Sequence, residues 1–261
     1  MKNFKEKYGP WALITGASAG LGEQFAQRLA AEGLNLVLVA RREDRLAALA
    51  SQLEKQHGVQ TRIVAADLGN PDFIKPLQES TRDLEIGLLI NNAGFTNAGE
   101  FLDNPLDKEL LLVDVNIRAA MILAHHFGGL MRDRRKGGII FSASVAGFAA
   151  IPFWSNYAAS KAYDLFLAEG LAVELKPYNV DVLGLCPGAT RTEFYNYSGF
   201  IASLITMMPE RVVDQALNKL GNRAVTVVGI LNSIMVVCQK LLPRSLSSWL
   251  AGVAIRDMAE H

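Results

Sequence analysis

The sequence predicts an α/β fold: one doubly wound parallel sheet of about seven strands, with helices on both faces. Three observations carry this. Short apolar runs alternate along the chain with longer segments whose apolar residues recur at helical spacing. The short runs are continuously apolar rather than alternating in polarity, as strands buried on both faces are. The strand–helix–strand order then repeats, which requires a parallel sheet with right-handed crossovers.

WALIT (11–15) is the first strand, followed by the helical LGEQFAQRLAAEG. NLVLVA (35–40) precedes a charged helix running through Arg45 and Leu49 to Gln56. TRIVAA (61–66) leads to a short helix after Pro71. IGLLINNAG (86–94) precedes a long helix from about Pro105 to Arg134. GGIIFSAS (137–144) precedes a helix starting near Tyr157, and VDVLGLCPG (180–188) follows that helix. A seventh strand is expected at Ala224 to Val228, and beyond it the chain is helical and apolar to near Ala259. Residues 1–261 form a single domain, with a substrate lid at about 192–222 and an apolar C-terminal extension at about 229–261.

Composition narrows the function classes. Of 261 residues, 50% are hydrophobic and 20% charged, with 26 basic and 26 acidic side chains, so no nucleic-acid partner is expected. The basic cluster Arg132, Arg134, Arg135 and Lys136 reads as a solvated helix end. The uncharged runs Phe194–Pro209 and Ala224–Gln239 both fall short of the roughly 20 apolar residues of an integral membrane span. With no signal peptide in view, the expected location is cytoplasmic. Cys186 and Cys238 lie in apolar runs and read as two buried, reduced thiols. The four histidines form no ligand pattern, so no metal is expected.

The stretch TGASAGLG (15–22) follows a strand and opens a helix, the context of a Rossmann-type dinucleotide-binding turn. Gly16 allows the tight turn, Gly20 lets the backbone approach a pyrophosphate, and Gly22 lets helix and strand pack closely. The phosphates would lie at the helix N-terminus beside Leu21, where unpaired N–H groups favour anions, and Ser18 adds a hydroxyl. The spacing is G-x-x-x-G-x-G rather than the commoner G-x-G-x-x-G.

TGxxxGxG resembles the signature of the short-chain dehydrogenase/reductase family. Further pieces match in order: Asp67 after the third strand, NNAG at 91–94, Asn116, Ser144, YAASK from Tyr157 to Lys161, and Pro187–Gly188 with Thr190 and Thr192. The likeness covers residues 11 to about 192. KYGPWALITGASAGLG looks closest to the hydroxysteroid dehydrogenase and 3-oxoacyl reductase branch, whose membrane-bound members carry an N-terminal anchor; here the first strand starts about ten residues in, and no anchor is expected.

Tyr157 and Lys161 are four apart, on one face of a helix. A free tyrosine titrates near ~10, and a neighbouring ammonium is expected to lower that. Tyr157 is therefore the expected proton donor to a carbonyl. Tyr163 and Tyr178 have no lysine one turn later. The resemblance implies that Lys161 holds the nicotinamide ribose, that Ser144 positions the carbonyl oxygen, and that Asn116 anchors a water. Ser142 is expected to face the other side of the strand.

The tip of the second strand bears on the cofactor. Ala40 stands where a NAD site would place a carboxylate, and Arg41 and Arg42 follow. An arginine there can pair with a 2′-phosphate. NADP(H) is therefore expected over NAD(H), with Arg41 the first choice and Arg42 the second. The resemblance puts Asp67 and Leu68 at the adenine, Asn91, Ala93 and Gly94 along the cofactor, and Gly188, Thr190 and Thr192 at the nicotinamide. Asn91 reads equally as a tie between strands. The lid segment FYNYSGFIASLITMMPE is uncharged until Glu210 and suggests a small apolar carbonyl substrate: ketone, 3-oxoacyl or steroid-like. Two other readings are a dehydrogenase of small polar alcohols or sugars, and a non-catalytic NADPH-binding sensor. By resemblance a homodimer or homotetramer is expected, and the region Leu241 to Ala254 reads as a further interface or a peripheral membrane contact.

Overall fold

The computed structural model describes residues 4–193 and 206–259, without the side chains of 254 and 256–259. Seven strands, β1 (Trp11–Thr15), β2 (Asn35–Ala40), β3 (Thr61–Ala65), β4 (Ile86–Asn91), β5 (Gly137–Ser142), β6 (Val180–Cys186) and β7 (Val225–Val227), form one parallel sheet. Their order is β3-β2-β1-β4-β5-β6-β7. The register runs straight across the centre, Leu13 opposite Val37 on one side and Leu89 on the other. Each expected strand is present. β4 ends at Asn91, so Asn92, Ala93 and Gly94 are loop.

The strands are buried on both faces, as their uninterrupted apolar runs require. Ile14, Leu36, Leu38 and Ile90 pack with α1 (Phe4–Tyr8), α2 (Gly20–Ala31), α3 (Glu43–His57) and the helix Pro209–Lys219 (α8 below). Leu13, Val37, Leu89 and Ile139 pack on the opposite face with α4 (Ile74–Thr81) and with Leu123, Phe127 and Ala168. The long helix expected at 105–134 is in three parts: α5 (Leu106–Val113), a π-helical turn at Asp114–Ala119, and α6 (Ala120–Arg134). Helix α7 (Ser155–Glu174) packs on β5 and β6. The helix Leu106–Arg134 is, by length and composition, apolar enough to cross a bilayer, but it lies against β4 and β5.

After β6 come α8 (Pro209–Lys219), β7, α9 (Ile230–Leu241) and α10 (Arg244–Ala259). Pro243 separates the last two, since the ring removes a helix donor and drives Leu242 to an extended conformation (φ −80°, ψ 149°). Of the expected lid, residues 194–205 lie outside the described residues, and α8 makes up much of the rest. Cys186 and Cys238 are both free, but only Cys186 is buried; Cys238 is exposed. The expectation of two buried thiols fails because α9 lies on the surface, with Ile230, Leu231, Ile234, Val237 and Leu241 exposed.

Helix α1 has no counterpart in the sequence reading, yet Tyr8 is fully buried. Its ring lies against the bare backbone of Gly138, where a Cβ would approach Tyr8 Cε1 to 3.0 Å. Its hydroxyl donates to Asp181 Oδ2 on β6 at 2.6 Å, and Lys7 pairs with the same oxygen. Burial, and then the Asp181 carboxylate, push the phenol well above its usual range, so it stays a neutral donor.

Truncating this anchor is expected to be costly. Tyr8→Ala should lose about 3–5 kcal/mol in urea unfolding, as other buried aromatics do. Tyr8→Phe, which loses only the hydroxyl bond to a carboxylate, should lose about 1.5–3 kcal/mol.

Candidate active site

Every strand of a parallel sheet ends at the same edge, and the loops of β1 and β4 part company there because the chain winds outward in both directions. The glycine turn lies at this edge. Gly16 (φ +67°) and Gly20 (φ +60°) both take the left-handed conformation that favours glycine. A Cβ on Gly16 would sit 2.9 Å from Asn92 Nδ2, and one on Gly22 would sit 2.8 Å from it. Asn92 holds the turn to the sheet, donating from Nδ2 to Thr15 O at 3.0 Å, while Thr15 Oγ1 accepts from Asn92 N at 2.9 Å and Ala93 N at 3.0 Å.

Ala19 caps α2 with no side-chain acceptor. The first N–H groups of the helix are therefore open to an anion. Ser18 stands before the cap, and Leu21 is half-buried behind it. The loop after β6 arches over this turn: a Cβ on Gly20 would come 3.1 Å from Thr192 Cβ, and a groove runs between Ala19, Gly20, Glu23, Arg191 and Thr192. Left-handed glycines, an uncapped helix start and an overlying loop suit a dinucleotide pyrophosphate.

At the tip of β2, Arg42 turns back toward the glycine turn. Its Nε and Nη2 donate to Ser18 Oγ at 3.1 and 3.0 Å. Its Nη1 meets Glu193 Oε2 at 3.0 Å, and Arg45 meets Glu193 Oε1 at 2.7 Å. The pairing with Arg45, then Arg42, holds the Glu193 carboxyl below the usual range. Arg41 is exposed beside them. Asp67, at the end of β3, is exposed and accepts from Gly69 N at 3.0 Å, while Leu68 next to it is buried.

Tyr157, Ser144 and Lys161 converge where β5 ends against α7. Tyr157 and Lys161 are 7% and 5% exposed. Lys161 Nζ lies 6.0 Å from the Tyr157 ring centroid and donates to Ser142 O at 2.8 Å and Asp164 Oδ2 at 3.0 Å. The Ser144 hydroxyl is near enough to the Tyr157 phenol to favour its ionised form, and its Oγ accepts from Ala146 N at 3.1 Å. Ser142 instead donates from Oγ to Asn92 Oδ1 at 3.2 Å. The expected lowering of the Tyr157 pKa does not prevail. Burial raises it, and the opposing pull of Lys161 and Ser144 is too small to reverse the direction. Lys161 is disfavoured by burial, but Asp164 and Tyr157 together hold it above its usual range, so it stays an ammonium.

Asn116 lies in the π-turn, a helix irregularity frequent at functional sites. It donates from Nδ2 to Phe95 O at 2.9 Å and Ser160 Oγ at 3.1 Å, and its Oδ1 accepts from Phe95 N at 3.1 Å. It thus pins the loop after β4 to α7. Gly94 lies between Asn116 and Lys161: a Cβ there would be 3.2 Å from Asn116 Oδ1 and 3.5 Å from Lys161 Nζ. Asn91 points the other way, donating from Nδ2 to Ala120 O at 3.1 Å as a structural tie between β4 and α6. Pro187 O accepts from Val145 N at 3.0 Å, joining the β6 loop to the Ser144 turn. Gly188 packs on Asn232 of α9, and Thr190 Oγ1 donates to Gly188 O at 3.0 Å. No group of three or more histidine, cysteine or acidic side chains suited to a metal occurs among the described residues. Four residues at the site escaped the sequence reading: Thr15, Asn92, Asp164 and Glu193. Two had a signal, Asn92 in NNAG and Thr15 at the head of TGxxxGxG.

A doubly wound sheet with a glycine turn at its switch point and a buried tyrosine–lysine pair at the same edge defines an NAD(P)-dependent oxidoreductase. The short chain dehydrogenase family model matches residues 10–199, and the chain belongs to that family. It is 32% identical to the 7beta-hydroxysteroid dehydrogenase of Collinsella aerofaciens over 233 residues, 87% of this chain and 89% of that one. Among solved structures, one described as giving insights into 7beta-hydroxysteroid dehydrogenase stereoselectivity superposes with TM-score 0.90 at 30% identity, covering 96% and 99% of the two chains. A short-chain dehydrogenase from Sphingobium yanoikuyae in complex with NADPH superposes with TM-score 0.80 at 34% identity, covering 91% and 98%.

Asn116→Ala should leave the half-buried Phe95 N–H and carbonyl without their side-chain partner. The expected cost is about 1–3 kcal/mol in urea unfolding, together with weaker cofactor binding by calorimetry as the loop after β4 loosens.

Proposed function

We propose that the chain is an NADP(H)-dependent reductase of a bulky apolar carbonyl compound, with Tyr157 as the proton donor. One observation carries the reading: Tyr157 is buried at the sheet edge, near Ser144, with the Lys161 ammonium one helical turn away. Burial favours the neutral phenol, the form that can give a proton. When bound, the nicotinamide supplies the hydride that reduces the carbonyl carbon. Ser144 orients the carbonyl oxygen toward the phenol. Tyr157 Oη then releases its proton to that oxygen, and the Lys161 ammonium stabilises the phenolate left behind. Asn116 keeps the loop after β4 seated against α7 while this happens.

The apolar character of the substrate is supported by what surrounds Tyr157: Phe95, Ile151, Trp154, and Ala251 and Ile255 of α10. The NADP(H) preference is supported by Arg41 and Arg42 at the β2 tip, where the adenosine ribose would lie, and by an NADPH-bound relative of the same fold. Gly16, Gly20 and Gly22 would admit the pyrophosphate, with Asp67 and Leu68 toward the adenine and Gly188, Thr190 and Thr192 toward the nicotinamide. The working location is cytoplasmic. A homodimer or homotetramer is supported by the exposed Leu106 and Leu110 on α5 and Phe166 on α7.

The test is NADPH consumption over a panel of bulky cyclic and aromatic ketones, for the wild type and Tyr157→Phe. The variant should be slower by on the order of 10²–10⁴, the usual worth of a general acid, while still binding cofactor. Equal rates in the two proteins would refute the reading.

A further inference from the structure

Asp164 is a buried acid for which the chemistry above has no use. It lies on α7 three residues after Lys161 and is 3% exposed. The next residues on the same buried side, Leu165 and Ala168, are apolar. Its Oδ2 accepts from Lys161 Nζ at 3.0 Å, and its Oδ1 is buried with no hydrogen-bond partner among the described residues. Taking a carboxylate out of water is costly, and leaving one oxygen unbonded makes it more so. A well-packed leucine would serve stability better. What Asp164 offers instead is a fixed negative charge against the ammonium nearest Tyr157.

We propose that Asp164 is a positioning residue for carbonyl reduction: it locks Lys161 Nζ against Ser142 O and offsets the ammonium charge, so that Tyr157 rests as the protonated acid. This rests on the reading of Tyr157 as proton donor. Lys161 alone would draw Tyr157 toward the phenolate, the form needed to oxidise an alcohol. Asp164 opposes that pull, in the same direction as burial. Two of the three Lys161 donors are committed, to Ser142 O and Asp164, which leaves one for a substrate-side or cofactor hydroxyl. The other ionisable groups facing this cluster are few. On α7 Tyr163 senses Asp164. On β6 the buried Cys186 thiol, pushed up to about 12 mainly by burial and next by Glu169, stays neutral. From α5, Glu109 is bonded by Asn104 at 2.9 Å and Asn156 at 2.6 Å, beside Tyr157.

The experiment compares the wild type with Asp164→Asn, which keeps shape and acceptor but removes the charge. The phenolate of Tyr157 is followed by ultraviolet difference titration against Tyr157→Phe, without cofactor. The pH profiles of ketone reduction and alcohol oxidation are recorded alongside. The phenolate should form at a pH lower by roughly one unit. The alkaline fall of reduction and the rise of oxidation should both move to lower pH, and Asp164→Glu should move them back. Should the amide variant not fold, Asp164→Ser, which leaves room for water, is read in the same way. Superimposable titrations and profiles would overturn the proposal, as would a loss of activity equal at every pH. Should Tyr157→Phe retain full activity, the proton-donor reading falls and this proposal with it; should that variant be inactive while the Asp164 variants shift nothing, only this proposal falls.

Discussion

A buried ammonium organises the site. Lys161 Nζ reaches the end of β5 through Ser142 O at 2.8 Å and its own helix through Asp164 at 3.0 Å. An isolated charge at that depth would be untenable, so its partners are obligatory. Around it the other pieces fall into place. Ser144 and Tyr157 meet on one side, Gly94 leaves the approach from the β4 loop open, and Asn116 clamps that loop to α7 through Phe95 and Ser160. The π-turn is the backbone cost of bringing Asn116 there, since a longer helical repeat rotates its side chain away from where an α-helix would send it.

The second constraint is topological. With all seven strands parallel, the glycine turn after β1, the β4 loop, Ser144 and the Pro187–Thr192 loop gather at one edge. Thr15 and Asn92 fasten the first two together across the point where the sheet winds in opposite directions. The C-terminal helices complete this edge. Asn232 of α9 packs on Gly188, and Ala251 and Ile255 of α10 join the apolar cluster around Tyr157.

The strands were legible because both faces of each are buried, which leaves continuous apolar runs with little ambiguity. The glycine turn and the Tyr157–Lys161 pair were legible because their chemistry needs particular residues at particular spacings. Other features leave no such mark. The π-turn is a shift in backbone bonding, and DVNIRA reads as ordinary helix. Asp164 lies three residues from a lysine, which from sequence alone reads as a surface ion pair. Tyr8 is buried because Gly138 is bare, a contact between residues far apart in the chain. Burial also reverses the simple electrostatic expectation for Tyr157, because desolvation depends on packing from several elements at once. Cys238 lies in an apolar stretch that proves to be surface helix.

Reduction of a carbonyl asks for a neutral Tyr157 at one end of the cofactor and recognition of NADPH at the other. At that other end, Arg42 bonds Ser18 and Glu193, and Arg45 shares the same glutamate. These are half-exposed ion pairs, worth little individually and cheap to exchange for a doubly charged phosphate. The most direct measurement is calorimetric binding of NADPH and NADH at fixed salt, to the wild type and to Arg41→Ala and Arg42→Ala. NADPH should bind more tightly, and removing an arginine that holds the 2′-phosphate should erase about 1.5–3 kcal/mol of the preference, on the order of ten- to a hundredfold in Kd. Equal binding of the two cofactors by the wild type, unchanged in both variants, would contradict NADPH-driven reduction and make the arginines no more than charges at the start of α3.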